Sequence, residues 1–184
     1  MSALAQRALV CALAAVLGLP AALAASPPVE LQVRLPALAL SGQATLTFLG
    51  FDVYTARLWV APGFQAQAYE RHPFALELVY LRSFTGEAIT RRSLDEMRRQ
   101  PEANPSLLKG WEAKLRAVIP DVQKGDRLIG VHRPGEGTTF LANGKPTGTL
   151  QDPAFARLFF GIWLAPESSE MPMRAALLGY AAAR

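Results

Sequence analysis

The sequence predicts an α+β domain built on an antiparallel sheet. Four early stretches are β-prone, apolar spacing becomes helical after residue 84, and β-prone runs return after residue 126. Asn143-Gly144 lies between two β-prone runs. Both residues tolerate positive φ, so the pair is a strong signal for an antiparallel hairpin. The elements run as strands, two helices, a meander, then two helices. Helices do not alternate one for one with strands, which excludes a doubly wound parallel sheet.

The N-terminus predicts a secretory leader over residues 1–24. Arg7 gives a short positive region, and Ala8 to Leu19 is apolar apart from Gly18. Pro20 breaks the run, and Ala22-Leu23-Ala24 puts small residues where a signal peptidase reads. The run is shorter than the roughly 20 residues a bilayer span needs. A cut near Ala24 leaves residues 25–184 as one domain, expected outside the cytoplasm in the periplasm or beyond. The only cysteine, Cys11, falls inside the leader, so thiol catalysis, disulfides and cysteine metal sites are not expected in that domain.

The formal net charge is +4, from 19 basic and 15 acidic residues. The charges are interleaved, as in Arg91-Arg92-Ser93-Leu94-Asp95-Glu96-Met97-Arg98-Arg99. With no basic arm and no basic–aromatic interleaving, nucleic acid is not an expected partner. No later segment is apolar and long enough to be an expected membrane span.

Within the domain, Ser26-Pro27-Pro28 leads into an alternating stretch, Val29, Leu31, Val33 and Leu35, which predicts a strand. Ala44–Leu49 and Phe51–Val60 are β-rich runs separated by Gly50, and Phe74–Leu81 follows His72-Pro73. A helix is predicted over Thr85–Arg99, capped by Ser83 or Thr85, with Ile89, Ser93, Leu94 and Met97 on one side. Glu87–Arg91 and Asp95–Arg99 are spaced to pair along it. Asn104-Pro105 opens a second helix with the stripe Leu107, Leu108, Trp111, Leu115, Val118 and Ile119, stopped by Pro120. Arg127–His132, Thr138–Ala142 and Thr147–Leu150 form the meander. Asp152-Pro153 opens a third helix, and a fourth near Pro172–Leu178 ends at Gly179.

Generic chemistry is sparse. His72 and His132 have no metal-ligand partner at a useful spacing and are expected at the surface. No serine lies in a Gly-x-Ser-x-Gly setting, and Gly135-Glu136-Gly137 joins two strands as a turn rather than a phosphate loop. No metal and no cofactor are expected. Tyr54, in an alternating strand, and Arg82 and Arg92, near the first long helix, remain. Either they are an ordinary strand tyrosine and surface-paired arginines, or they form the polar end of an apolar pocket. An arginine fork and a phenol can together hold a carboxylate.

Four stretches extend that second possibility. They are Leu40-Ser41-Gly42-Gln43-Ala44; Phe51-Asp52-Val53-Tyr54-Thr55-Ala56-Arg57-Leu58-Trp59-Val60; Leu78-Val79-Tyr80-Leu81-Arg82-Ser83-Phe84-Thr85-Gly86-Glu87-Ala88-Ile89; and Phe155-Ala156-Arg157-Leu158-Phe159-Phe160-Gly161-Ile162-Trp163-Leu164. In this order, with the Asn143-Gly144 hairpin before the last, the chain resembles the chalcone isomerase-like family, in its secreted bacterial branch, from about Leu40 to Gly179. The resemblance implies an open-faced β-sandwich, a curved antiparallel sheet backed by helices.

The family's plant enzymes close a flavanone ring, and other members bind fatty acids in the same cleft without that activity. The enzymes' strand arginine aligns with Leu46 and their cyclising threonine with Tyr54, a tyrosine like that of the fatty-acid binders. Their helix tyrosine, lysine and asparagine fall at Ile89, Arg92 and Glu96. An aliphatic group cannot orient a water or donate to an oxyanion, so flavonoid cyclisation is not expected. The resemblance implies binding of a lipophilic anion such as a fatty acid, with Tyr54, Arg57, Arg82 and Arg92 as candidate contacts. The alternatives are an isomerase or intramolecular lyase using Tyr54 and Arg92, and an envelope accessory protein that docks through its sheet. Ligand identity and oligomeric state stay open.

Overall fold

The structure is a computed structural model that describes residues 25–180. The expected leader and its cut near Ala24 lie outside the described residues. Six strands pair antiparallel in chain order: β1 (Ala39–Phe48), β2 (Phe51–Val60), β3 (Phe74–Tyr80), β4 (Arg127–Arg133), β5 (Gly137–Ala142) and β6 (Lys145–Leu150). Helices α2 (Gly86–Arg98) and α3 (Pro105–Val118) are inserted between β3 and β4, and α4 (Pro153–Leu164) and α5 (Met171–Leu177) follow β6. This is the α+β arrangement of an open antiparallel sheet backed by helices.

Period-two alternation sorts the strand residues between the two faces. Ala56 and Leu58 of β2, Phe74, Leu76, Leu78 and Tyr80 of β3, and Phe140 of β5 enter the main core with α2, α3 and α4. Trp59, Ala75, Ile129, Val131 and Leu141 face the other way and form a second, smaller core.

The helices begin where their caps stand. Thr85 Oγ1 accepts from the Ala88 amide at 3.1 Å, and Asn104 Oδ1 from the Ser106 amide at 2.9 Å. Asp152 Oδ1 accepts from the Ala154 and Phe155 amides, while its Oδ2 takes the Trp111 indole N–H at 2.7 Å. One carboxylate thus starts α4 and ties it to α3. Gly86 is required by close approach: a Cβ there would sit 2.2 Å from the Ile119 carbonyl oxygen. Its amide donates to Asp121 Oδ1 at 2.8 Å.

Several expectations are corrected. Val29–Leu35 does not form a strand; Val29–Arg34 is a short helix, α1. The alternating pattern also contains Leu31 and Leu35 at helical i, i+4 spacing. Those two are buried under the sheet while Val29 and Val33 are exposed. Leu107 lies on the solvent side of α3. Glu87 pairs with Arg116 at 3.2 Å and Asp95 with Arg98 at 2.6 Å, instead of Arg91 and Arg99.

His132 was expected at the surface and is buried. It lies on the helix-facing side of β4, 5.2 Å from the Phe74 ring and 5.7 Å from Phe160. Its Nε2 donates to the Glu70 carbonyl at 2.8 Å, and Nδ1 has no partner among the described residues. Burial holds the imidazole below its ordinary range, outweighing the opposing pull of that carbonyl. The unfolded chain therefore takes up a proton, below about pH 6.5, that the folded chain refuses. Stability should fall as pH drops from about 6.5 towards the folded value, by up to ~1.4 kcal/mol per pH unit. Thermal melts of the wild type and His132→Gln between neutral and mildly acidic pH check this. Parallel curves for the two proteins would remove His132 as the cause.

The second core carries a buried charge. Glu77 on β3 is 1% exposed and accepts the Trp59 indole N–H at 2.9 Å. Arg57 and Arg127, on the flanking strands β2 and β4, stand 3.7 Å and 3.6 Å from its carboxylate. Arg127 also pairs with Glu30 of α1. The charge is thus shared among three strands and the helix that covers them.

Candidate functional site

Between the helix-facing side of the sheet and α2 and α4 lies a cavity of about 330 Å³. Its wall is mainly apolar, with Leu46, Val53, Leu76, Leu78 and Leu128 from the sheet, Ile89 from α2 and Phe159 from α4. The volume is at the lower end of the roughly 300–1,000 Å³ typical of small-molecule pockets.

The β1–β2 register opens one side. Leu46 pairs with Tyr54 and Thr47 with Asp52, so Val53 is an extra residue on β2. Such a bulge bends the strand and re-aims its side chains; both Val53 and Tyr54 line the cavity.

Register also sets Tyr54 opposite Tyr80 on β3, their rings edge to face at 5.8 Å. The Tyr54 hydroxyl accepts the Trp163 indole N–H at 3.0 Å. Burial pushes the Tyr54 phenol up to about 12, only partly offset by that hydrogen bond. Burial raises Tyr80 as well, with Tyr54 adding to it. Both phenols stay protonated at neutral pH, so each is a hydrogen-bond donor in an apolar wall and not a base.

At the α2 end, Arg92 Nη2 approaches Glu96 Oε1 to 2.7 Å. The approach is close, but Glu96 Oε1 has no aligned hydrogen bond among the described residues. Ser169 Oγ donates to the other oxygen of Glu96 at 2.8 Å, with Arg99 4.0 Å away. Arg92 is 63% exposed and Glu96 is buried. The cation stands at the rim, fixed beside its counter-charge with most of its N–H donors uncommitted.

The candidates from the sequence separate. Tyr54 and Arg92 both line the cavity, as do Leu46, Ile89 and Glu96, so the five positions carried over from the family resemblance converge on one space. Arg57 does not join them: three residues from Tyr54 on a strand, it points to the opposite face and serves Glu77. Arg82 lies outside the wall, with its guanidinium 4.5 Å over the Phe51 ring. Tyr80, Trp163 and Ser169 also belong to the wall and were not singled out from sequence. Tyr80 shares the parity of Phe74, Leu76 and Leu78, which was the available signal. Among the described residues no group of three or more His, Cys, Asp or Glu side chains could hold a metal ion.

Comparisons with known proteins agree with this architecture. A family model described as chalcone isomerase-like matches residues 24–179. An uncharacterized protein of Haemophilus influenzae strain Rd is 30% identical over 138 residues, which span 75% of this chain and 66% of that protein. A crystal structure of an Arabidopsis thaliana fatty-acid binding protein superposes with a TM-score of 0.59 at 13% identity, covering 79% of this chain and 89% of that one. At that identity the likeness is one of fold. With nearly all the described residues inside the family match, the chain belongs to the chalcone isomerase-like family.

Proposed function

We propose that this protein binds a lipophilic carboxylic acid of the fatty-acid class, without flavonoid cyclisation, and acts outside the cytoplasm. The observation that carries the reading is the cavity itself, an apolar space of about 330 Å³ with Arg92, paired with Glu96 yet 63% exposed, at its rim. The tail fills the space between Leu46, Leu76, Ile89 and Phe159. The carboxylate reaches Arg92, whose charge stays balanced by Glu96, and the phenols of Tyr54 and Tyr80 offer further donors. The family holds both isomerases and non-catalytic fatty-acid binders. The raised Tyr54 phenol supports the binding reading, since a group protonated at neutral pH supplies no base for phenolate chemistry. The N-terminal leader pattern is the support for the location.

Calorimetric titration with a fatty-acid series, alongside native mass spectrometry of the purified protein, tests this. Saturable binding is expected, weakened about tenfold in Arg92→Ala, a modest loss because the guanidinium is largely solvated. Absence of saturable binding across the series, with no co-purifying lipid, rejects the reading.

A further inference from the structure

The β1–β2 hairpin ends in a feature the fold does not use. Leu49 and Gly50 form a two-residue turn with φ of 50° and 80°, closed by the Phe48–Phe51 pair. Asn143 and Gly144 make the same kind of turn between β5 and β6, with φ of 48° and 82°. The second turn has the residues this geometry favours, because asparagine tolerates left-handed backbone far better than leucine. Leu49 is 81% exposed, with Phe48 and Phe51 beside it at 58% and 59%. A leucine held at unfavourable backbone angles, with little packing in return, breaks a local rule without gain to the folded chain. Three large apolar side chains stand together on one tip.

Two observations say what meets them. Phe48 belongs both to the tip and to the cavity wall, so the apolar surface runs on into the cavity. Arg82 is exposed and stacked over Phe51, while the nearby acid, Asp52, is engaged by Thr47 at 2.6 Å. Aromatic and aliphatic groups with a cation alongside suit the boundary between acyl chains and anionic headgroups. We infer that the Phe48–Phe51 tip docks on the surface of an anionic lipid bilayer. Phe48, Leu49 and Phe51 enter the acyl boundary, Arg82 meets a lipid phosphate, and the cavity is set against the membrane. This docking is independent of which ligand the cavity holds.

Cosedimentation of the full chain with phosphatidylcholine vesicles, with and without phosphatidylglycerol, tests it. The wild type should pellet with the phosphatidylglycerol vesicles. Leu49→Asn should lower that partitioning about tenfold or more while raising the melting temperature, because asparagine fits the turn. A protein that merely lost its fold would show the opposite shift. Phe48→Ser combined with Phe51→Ser should reduce binding similarly, and Arg82→Gln should remove only the part that depends on phosphatidylglycerol. All variants share one N-terminal segment, so differences between them isolate the tip. Equal binding by wild type and Leu49→Asn, or no binding by the wild type, overturns the inference. A wild-type dimer that Leu49→Asn dissolves overturns it in favour of a second copy of the chain. Tip-dependent binding that ignores phosphatidylglycerol overturns the role of Arg82.

Discussion

Ala88→Phe is expected to abolish high-affinity uptake of a long-chain fatty acid while leaving the fold in place. Ala88 lies on α2 with its side chain at the cavity wall. It is one residue before Ile89 and four before Arg92, so a larger group there grows into the apolar space beneath the rim. Only its backbone amide takes part in the helix cap, with Thr85, and substitution keeps that amide. A phenyl ring takes the place of several methylenes of bound tail. At ~0.8 kcal/mol per buried methylene, exclusion of about four costs ~3 kcal/mol, a factor of more than a hundred in affinity. Titration with a fluorescent fatty acid measures the loss, and an unchanged circular dichroism melt shows that the fold persists. Wild-type affinity in a folded Ala88→Phe protein would place the ligand elsewhere.

The largest expected change in stability comes from the opposite face of the sheet. Glu77→Ala strands the buried Trp59 indole N–H, which then lacks its acceptor, and leaves Arg57 and Arg127 without the carboxylate between them. An unsatisfied buried donor costs about 1–3 kcal/mol. Breaking a buried pair costs roughly 3–5 kcal/mol, which is discounted here because both arginines are about one-third exposed. With the pair term so reduced, and Arg127 still paired with Glu30, the expected loss by urea unfolding is about 3 kcal/mol. That figure is the cost of stranding partners, not the worth of the ion pairs. Glu77→Gln retains an acceptor for Trp59 and should lose less than Glu77→Ala. Equal losses for the two would assign the effect to charge alone.

Much of this architecture was legible locally. Thr85, Asn104-Pro105 and Asp152-Pro153 announced three helices because a cap acts on amides two or three residues away. Asn143-Gly144 announced its hairpin because both residues tolerate the positive φ its turn requires. Strand alternation left Tyr54 open between an ordinary strand tyrosine and a pocket wall, and the structure puts it in the wall. The same rule applied to Arg57 would have turned it outward, since an odd spacing changes faces. Other features depend on pairings that no single segment contains. Tyr80 meets Tyr54 through the β2–β3 register, and the bulge at Val53 exists only relative to β1. His132 is buried because Phe74 and Phe160 arrive from other elements. The Val29–Leu35 stretch failed in another way: two valines and two leucines spaced two apart also contain a helical pair, Leu31 and Leu35, and docking on the sheet chose between them.

The strictly sequential order of the strands has a consequence for how the chain reaches this structure. Within β1–β3 and within β4–β6, every neighbour is next in the chain, so each set of three zips by comparatively local hairpin closure. The β3–β4 pairing instead waits on residues 81–126, which carry α2 and α3. Closing a longer loop costs more entropy before any contact rewards it, and non-local pairing slows folding. Of the sheet's pairings, the seam where Leu76 comes to lie against Gly130 is the one that closes the longest loop and carries the largest closure entropy.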